Sequence, residues 1–195
     1  MTNKLTNKDF INIGIFSALY LSICIVISGI TMVPILQYTM MPTMALLIAP
    51  VYLLYIAKVG KPLAISITGV ICSGIVGFLV YGNVYCFLVN MLFFIVADGI
   101  ASIGKYKSNK WNAISYIVSC FWAIGEAGLP WVASDYYYDL SVKSGYSIEW
   151  ADGVKALATP ANLVYMCLGV VVCAIISILF SNKMFKKHFK KAGII

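Results

Sequence analysis

A chain of 195 residues that is 62% apolar and only 11% charged carries more apolar surface than a soluble core of that size can hide. Its net charge of +7 comes from fourteen lysines and no arginine. Those lysines fall between apolar stretches, so they point to a bilayer rather than to nucleic acid. The composition predicts an all-α integral membrane protein in which 1–195 form one membrane domain of six transmembrane helices, without a separate soluble domain.

In chain order, the polar start through Asp9 precedes an apolar run too long for a signal-peptide core, so it is read as retained. The first helix is predicted over 10–30. It carries Gly14, Ala18 and Ser22 at every fourth position, a smooth stripe that lets another helix approach closely. That stripe serves either packing within the chain or docking of another membrane subunit. The uncharged segment 31–42, with Pro34 and Pro42, is predicted to fold as a re-entrant or lid-like piece on the outer face. Four of the eight methionines (Met32, Met40, Met41 and Met44) lie in or beside it, and flexible thioethers suit a surface that closes over a ligand.

Further helices are predicted over 43–57, 62–80, 83–103, 111–132 and 159–181. Gln37, Tyr38, Tyr81, Asn83 and Tyr85 fall on the same side of the membrane and can orient a ligand. Asp98 stands near Lys105, Lys107 and Lys110 and is read first as pairing with them. The stretch Asp98-Gly99-Ile-Ala-Ser102 is similar to the opening of the aspartate-rich motif of membrane phosphatidyl-alcohol transferases. The further aspartates that would hold metal do not follow, which excludes that chemistry. Glu126, between Gly125 and Gly128, is either a site open to the outside or a structural pairing within the bundle. The long outer connection 133–158 holds Asp135, Asp139, Glu149 and Asp152, with Tyr136, Tyr137, Tyr138, Tyr146 and Trp150, and Trp131 stands at its entrance. Tyrosine and tryptophan also collect at membrane interfaces without any role in binding. The ending Lys186-Lys187-His188-Phe-Lys190-Lys191 suits anionic headgroups.

Twelve lysines lie on one side of the predicted helices against two, Lys143 and Lys155, on the other. The positive-inside rule therefore places both termini in the cytoplasm of a bacterial-type inner membrane. The six cysteines all lie inside apolar stretches without metal-ligand spacing and are read as small packing residues. No catalytic constellation is evident, so the chain is read as a non-enzyme without cofactor or metal.

Gly14 and Ala18 of the first helix, the inner loop Gly104-Lys-Tyr-Lys-Ser108, the outer stretch Gly145-Tyr-Ser-Ile-Glu-Trp-Ala-Asp152 and the ending Lys187-His-Phe-Lys-Lys-Ala-Gly-Ile194 resemble the Trep_Strep family over essentially the whole chain. Its members are also called MptD-like S components of energy-coupling factor (ECF) transporters. The resemblance implies a membrane-embedded substrate-binding subunit that captures a scarce nutrient outside and topples when docked on a transmembrane coupling subunit driven by two cytoplasmic ATPases. It also implies that Gly14 and Ala18 dock on that subunit, and that outer loops and the outer ends of helices 4–6 hold the ligand. Gly14 stands where many relatives have alanine, a change that still permits close approach.

The implied ligand is a vitamin-like heterocycle or a haem-like molecule, with a cationic small molecule as a further alternative. A Met- and Tyr-rich outer half suits a flat apolar ligand, whereas an acidic loop repels propionates and the single histidine lies in the tail. Trp131 and Tyr136 are expected to stack on the ligand, Gln37 and Asn83 to orient it, and Glu126 to meet a polar or cationic group. Tyr38, Met41, Tyr81, Tyr85 and Trp150 complete the expected lining. The competing reading is a self-sufficient small-molecule permease or exporter, which requires coupling carboxylates reachable from both faces.

Overall fold

Helix α1 (Asn7–Ser28) starts where Thr6 leaves the extended region and its backbone N–H donates to Asp9 Oδ2 at 2.7 Å. The same carboxylate receives the Lys61 ammonium at 2.6 Å, which ties the start of α1 to the turn before the fifth helix. The computed structural model describes residues 4–29 and 33–185 and is helical throughout, with no strand among the described residues. Met32 and the basic tail from Lys186 onward, His188 included, lie outside them.

The elements after α1 are α2 (Pro34–Gln37), α3 (Met40–Leu47), α4 (Ala49–Lys58), α5 (Ala64–Ser73) with a π-helical continuation (Gly74–Val80), and α6 (Val84–Ile103). Then follow α7 (Asn109–Ser119), α8 (Ile124–Ala127), α9 (Leu129–Val132), α10 (Ser134–Lys143), α11 (Ile148–Leu157) and α12 (Pro160–Met184). Three helices, α1, α6 and α12, are long and apolar enough to cross a membrane, and α3 with α4 makes a fourth if that bent pair is one span. The apolar helix Ala64–Val80 is shorter.

Two of the predicted continuous helices are broken. The stretch 43–57 belongs to α3 and α4, which meet at 46° around Ile48. Pro50 has no N–H to offer the Leu46 carbonyl one turn back. Ser177 of α12 donates its hydroxyl to that carbonyl at 2.5 Å, and Tyr116 of α7 donates to the Ala45 carbonyl at 2.6 Å. The break is stable because neighbouring helices satisfy the freed acceptors, the condition for irregular backbone at membrane depth. The stretch 111–132 likewise ends as a helix at Ser119 and resumes in two single turns, α8 and α9, the latter with Pro130 in its first turn.

The core is fixed by close packing. A Cβ at Gly69 would collide with the Phe94 side chain, and one at Gly77 would lie 2.7 Å from the Phe87 backbone nitrogen. These two glycines let α5 and its π-helical end lie directly on α6. Tyr20, Phe94 and Trp122 from α1, α6 and the turn after α7 meet as three rings with centroids 5.7 to 5.9 Å apart. Cys24, Cys72, Cys86 and Cys120 are buried free thiols, and Cys167 and Cys173 are half-buried.

The start of α1 and the turns after α4 and α6, with their lysines, meet at one end of the bundle, where Lys61 bonds to Asp9 and to the Lys4 carbonyl and Tyr106 packs beside Gly60. Tyr38 after α2, Trp131 of α9, Tyr137 of α10 and Trp150 of α11 gather at the opposite, aromatic end. The predicted lid and long loop are more ordered than open segments would be. Residues 34–37 form α2, which packs on α11, and the connection 133–158 consists largely of α10 and α11. Met40, Met41 and Met44 point into the core rather than onto a surface. Asp98 differs from its expected pairing. It accepts from the Ser66 backbone N–H at 3.2 Å, the Ser66 hydroxyl at 2.7 Å and the Tyr106 hydroxyl at 2.7 Å, not from a lysine. The positive φ angles of Lys105 (51°) and Tyr106 (58°) turn Tyr106 back under α6 and leave Lys105 and Lys107 exposed.

Candidate ligand site at the aromatic end

The site is built on the unwound stretch between α7 and α9. Gly125 lies so close to α6 that a Cβ there would strike Asn90 Oδ1 and crowd the Cys86 backbone. The close approach brings Glu126 beside Asn90. The amide Nδ2 donates to Glu126 Oε2 at 2.7 Å, and Asn90 Oδ1 accepts from the Gly125 N–H at 3.2 Å. Cys86 donates its thiol to the Gly125 carbonyl at 3.4 Å. Asn90 is fully buried and Glu126 is 3% exposed. Among the described residues the ion pairs are Lys61–Asp9 and Lys155–Asp135, so the Glu126 carboxyl is buried with an amide partner and no cation.

The elements beside this node carry aromatic side chains held by hydrogen bonds and ring contacts. Gln37 Nε2 donates to the Tyr137 hydroxyl at 2.9 Å, which ties α2 to α10. Tyr38 donates to the Val154 carbonyl at 2.6 Å and meets Trp131 edge-on at 5.0 Å between centroids. Trp131 donates its indole N–H to the Thr159 carbonyl at 2.9 Å, and Trp150 stacks on Tyr146 at 4.1 Å. The Tyr136 hydroxyl donates at 3.5 Å to the Tyr81 carbonyl.

The predicted residues therefore separate. Gln37, Tyr38, Met41, Glu126 and Trp150 are buried, and Trp131 and Tyr81 are half-buried at the junction. Asn83 is also half-buried and caps α6, its side chain accepting from the Tyr85 N–H at 2.8 Å. Tyr85 and Tyr136 are largely exposed. Asn90, Tyr137, Tyr146 and Cys86 belong to the same neighbourhood but were not among the site residues read from sequence. The signal that could have found Asn90 is its position as a lone amide within the apolar run of α6.

The exposed faces of α10 and α11 carry Asp135, Asp139, Glu149 and Asp152 against Lys143 and Lys155. Lys155 binds Asp135 at 2.8 Å, holding that carboxyl below its usual range and raising its own ammonium.

Gly14, Ala18 and Ser22 are all exposed, and a Cβ at Gly14 would meet nothing within 4 Å. Packing within the chain is not the role of this stripe. The buried face of α1 is the opposite one, through Ile13, Phe16, Tyr20 and Cys24.

A helical bundle with apolar exterior helices, a broken helix satisfied by its neighbours and a buried polar node defines an integral membrane protein. More specifically, the chain belongs to the Trep_Strep family, described as hypothetical bacterial integral membrane proteins, whose model matches residues 7–191. No curated protein and no solved structure matches the chain.

Proposed function

We propose that this protein is the membrane-embedded substrate-binding component of an ECF-type importer in the bacterial cytoplasmic membrane. In this reading it crosses six times with both termini inside, and the aromatic end faces outward. It captures a scarce nutrient, a vitamin-like heterocycle or a haem-like molecule, and delivers it with a coupling subunit and two ATPases that hydrolyse ATP.

The observation that carries the reading is the exposed small-residue stripe of α1, Gly14, Ala18 and Ser22, with its buried face turned the other way. Bulky side chains such as Ile11, Ile15 and Leu19 flank the stripe on the exposed side of α1, so the stripe is a shallow groove between them, whereas α6 and α12 expose bulky side chains such as Leu88, Leu92, Val172 and Phe180. A smooth groove that the chain itself leaves uncovered suits close approach of a partner helix. The break between α7 and α8 supports a binding role, since discontinuous helices at membrane depth frequently form substrate sites. Mass spectrometry of small molecules released from the purified protein tests the binding half of the reading. A reproducible heterocyclic ligand lost in Trp131→Ala supports it, and a protein that releases none under any growth condition counts against it.

A further inference from the structure

Glu126 is a carboxyl 3% exposed that bonds to the Asn90 amide and has, among the described residues, no ion-pair partner. A buried carboxylate without a cation is costly, so the site is incomplete for the charged group. The chain supplies no basic group to it: the sequence holds no lysine or arginine between Lys61 and Lys105 or between Lys110 and Lys143, the stretches that contribute Tyr81, Cys86, Asn90, Glu126, Trp131 and Tyr137. What the neighbouring elements supply instead is aromatic rings: Tyr38 against Trp131 at 5.0 Å, Tyr146 stacked on Trp150 at 4.1 Å, and Tyr136 bonded to the Tyr81 carbonyl just before α6, whose Cys86 bonds to Gly125. Tyrosine faces attract cations through their ring quadrupole. The surrounding helices α10 and α11 carry four exposed carboxylates against two lysines, which raises the local concentration of cations and repels anions.

We infer that the ligand of the aromatic end is an organic cation, a compact or flat ring bearing a positively charged nitrogen, with Glu126 as its counter-charge and the aromatic side chains of that end to stack on. This rests on the reading of the chain as a substrate-binding component and narrows its ligand class. It disfavours anionic ligands, haem with its propionates included. Asn90 is the positioning residue, because its two hydrogen bonds fix both the carboxyl and the backbone beside it.

The test uses three flat probes of one shape and different charge on the purified full chain: N-methylquinolinium, quinoline and quinaldate, titrated calorimetrically at neutral pH. The cation is expected to bind at least about tenfold more tightly than neutral quinoline, and the anion not at all. Glu126→Gln should erase the preference for the cation while the neutral ring still binds. The inference is overturned if quinaldate binds as tightly as the cation, if the cation gives no heat at millimolar concentration, or if a folded Glu126→Gln protein keeps the preference. Should that variant fail to fold, the ranking measured on the wild-type chain decides alone. Importer membership is read separately, from partner co-purification, so a cation preference without partners would retain this site and remove only the assembly.

Discussion

Glu126 owes its position to Asn90, and the pair shows how much a single amide can carry inside a membrane. Replacing Asn90 with Ala strips Glu126 Oε2 and the Gly125 N–H of their partner at one stroke. Leaving such groups buried and unpaired costs on the order of 1–3 kcal/mol. Thermal unfolding in detergent should show a clear drop for Asn90→Ala, and an unchanged melting temperature would mean that the node is not load-sharing. Trp131→Ala should lower ligand affinity while the protein stays monodisperse, and unchanged affinity would move the site elsewhere. Glu126 itself stood out in the sequence, because a carboxylate in an apolar run invites a reason. Asn90 did not, since its partner lies 36 residues away and is reached only because the helix breaks after Ser119 and Gly125 of α8 lies against α6. Asp98 was misjudged for a related reason. Lysines close in sequence suggested an ion pair, but the left-handed turn at Lys105 and Tyr106 delivers a hydroxyl instead.

Among the elements, the broken pair α3–α4 depends on α7 and α12 for its backbone acceptors. Ser177→Ala removes the donor to the Leu46 carbonyl and should cost about 0.5–2 kcal/mol, read as a lowered melting temperature. Restoring the missing N–H by Pro50→Ala in the same chain should recover part of the loss, because the helix can then satisfy Leu46 itself. Failure to recover would show that the bend is set by packing alone. The prolines were visible in the sequence, but the hydroxyls that make the break tolerable lie more than a hundred positions away, at Ser177, or on another helix, at Tyr116. The connection 133–158 reads as a loop because its acids and tyrosines dominate its composition. Its helical spacing is nonetheless present: Tyr137 and Ser141 share the buried face of α10, and Trp150 and Val154 that of α11.

At the scale of the molecule, the twelve-to-two lysine asymmetry and the meeting of the α1 start with the Lys61 turn at one end support a single orientation. In cells expressing single-cysteine variants in a background without native cysteines, an impermeant maleimide should label Ser144→Cys from outside and reach Lys58→Cys only after permeabilisation. Labelling of position 58 in intact cells would reverse the topology. The small-residue stripe of α1 was legible in the sequence. Its direction was not, because periodicity alone cannot say which face of a membrane helix meets its own bundle.

That direction makes a clean test of the importer assignment possible. A bulky side chain at Gly14 projects into open space and should leave fold and ligand binding intact. The decisive measurement is affinity purification of the tagged protein from its native membrane, with quantitative mass spectrometry of the proteins that accompany it. The wild-type chain should bring down a membrane coupling subunit and two ATPases, and the Gly14→Leu/Ala18→Leu protein should lose them while still binding ligand. A wild-type protein that purifies without any ATPase, or a double variant that retains its partners at normal yield, would contradict the account.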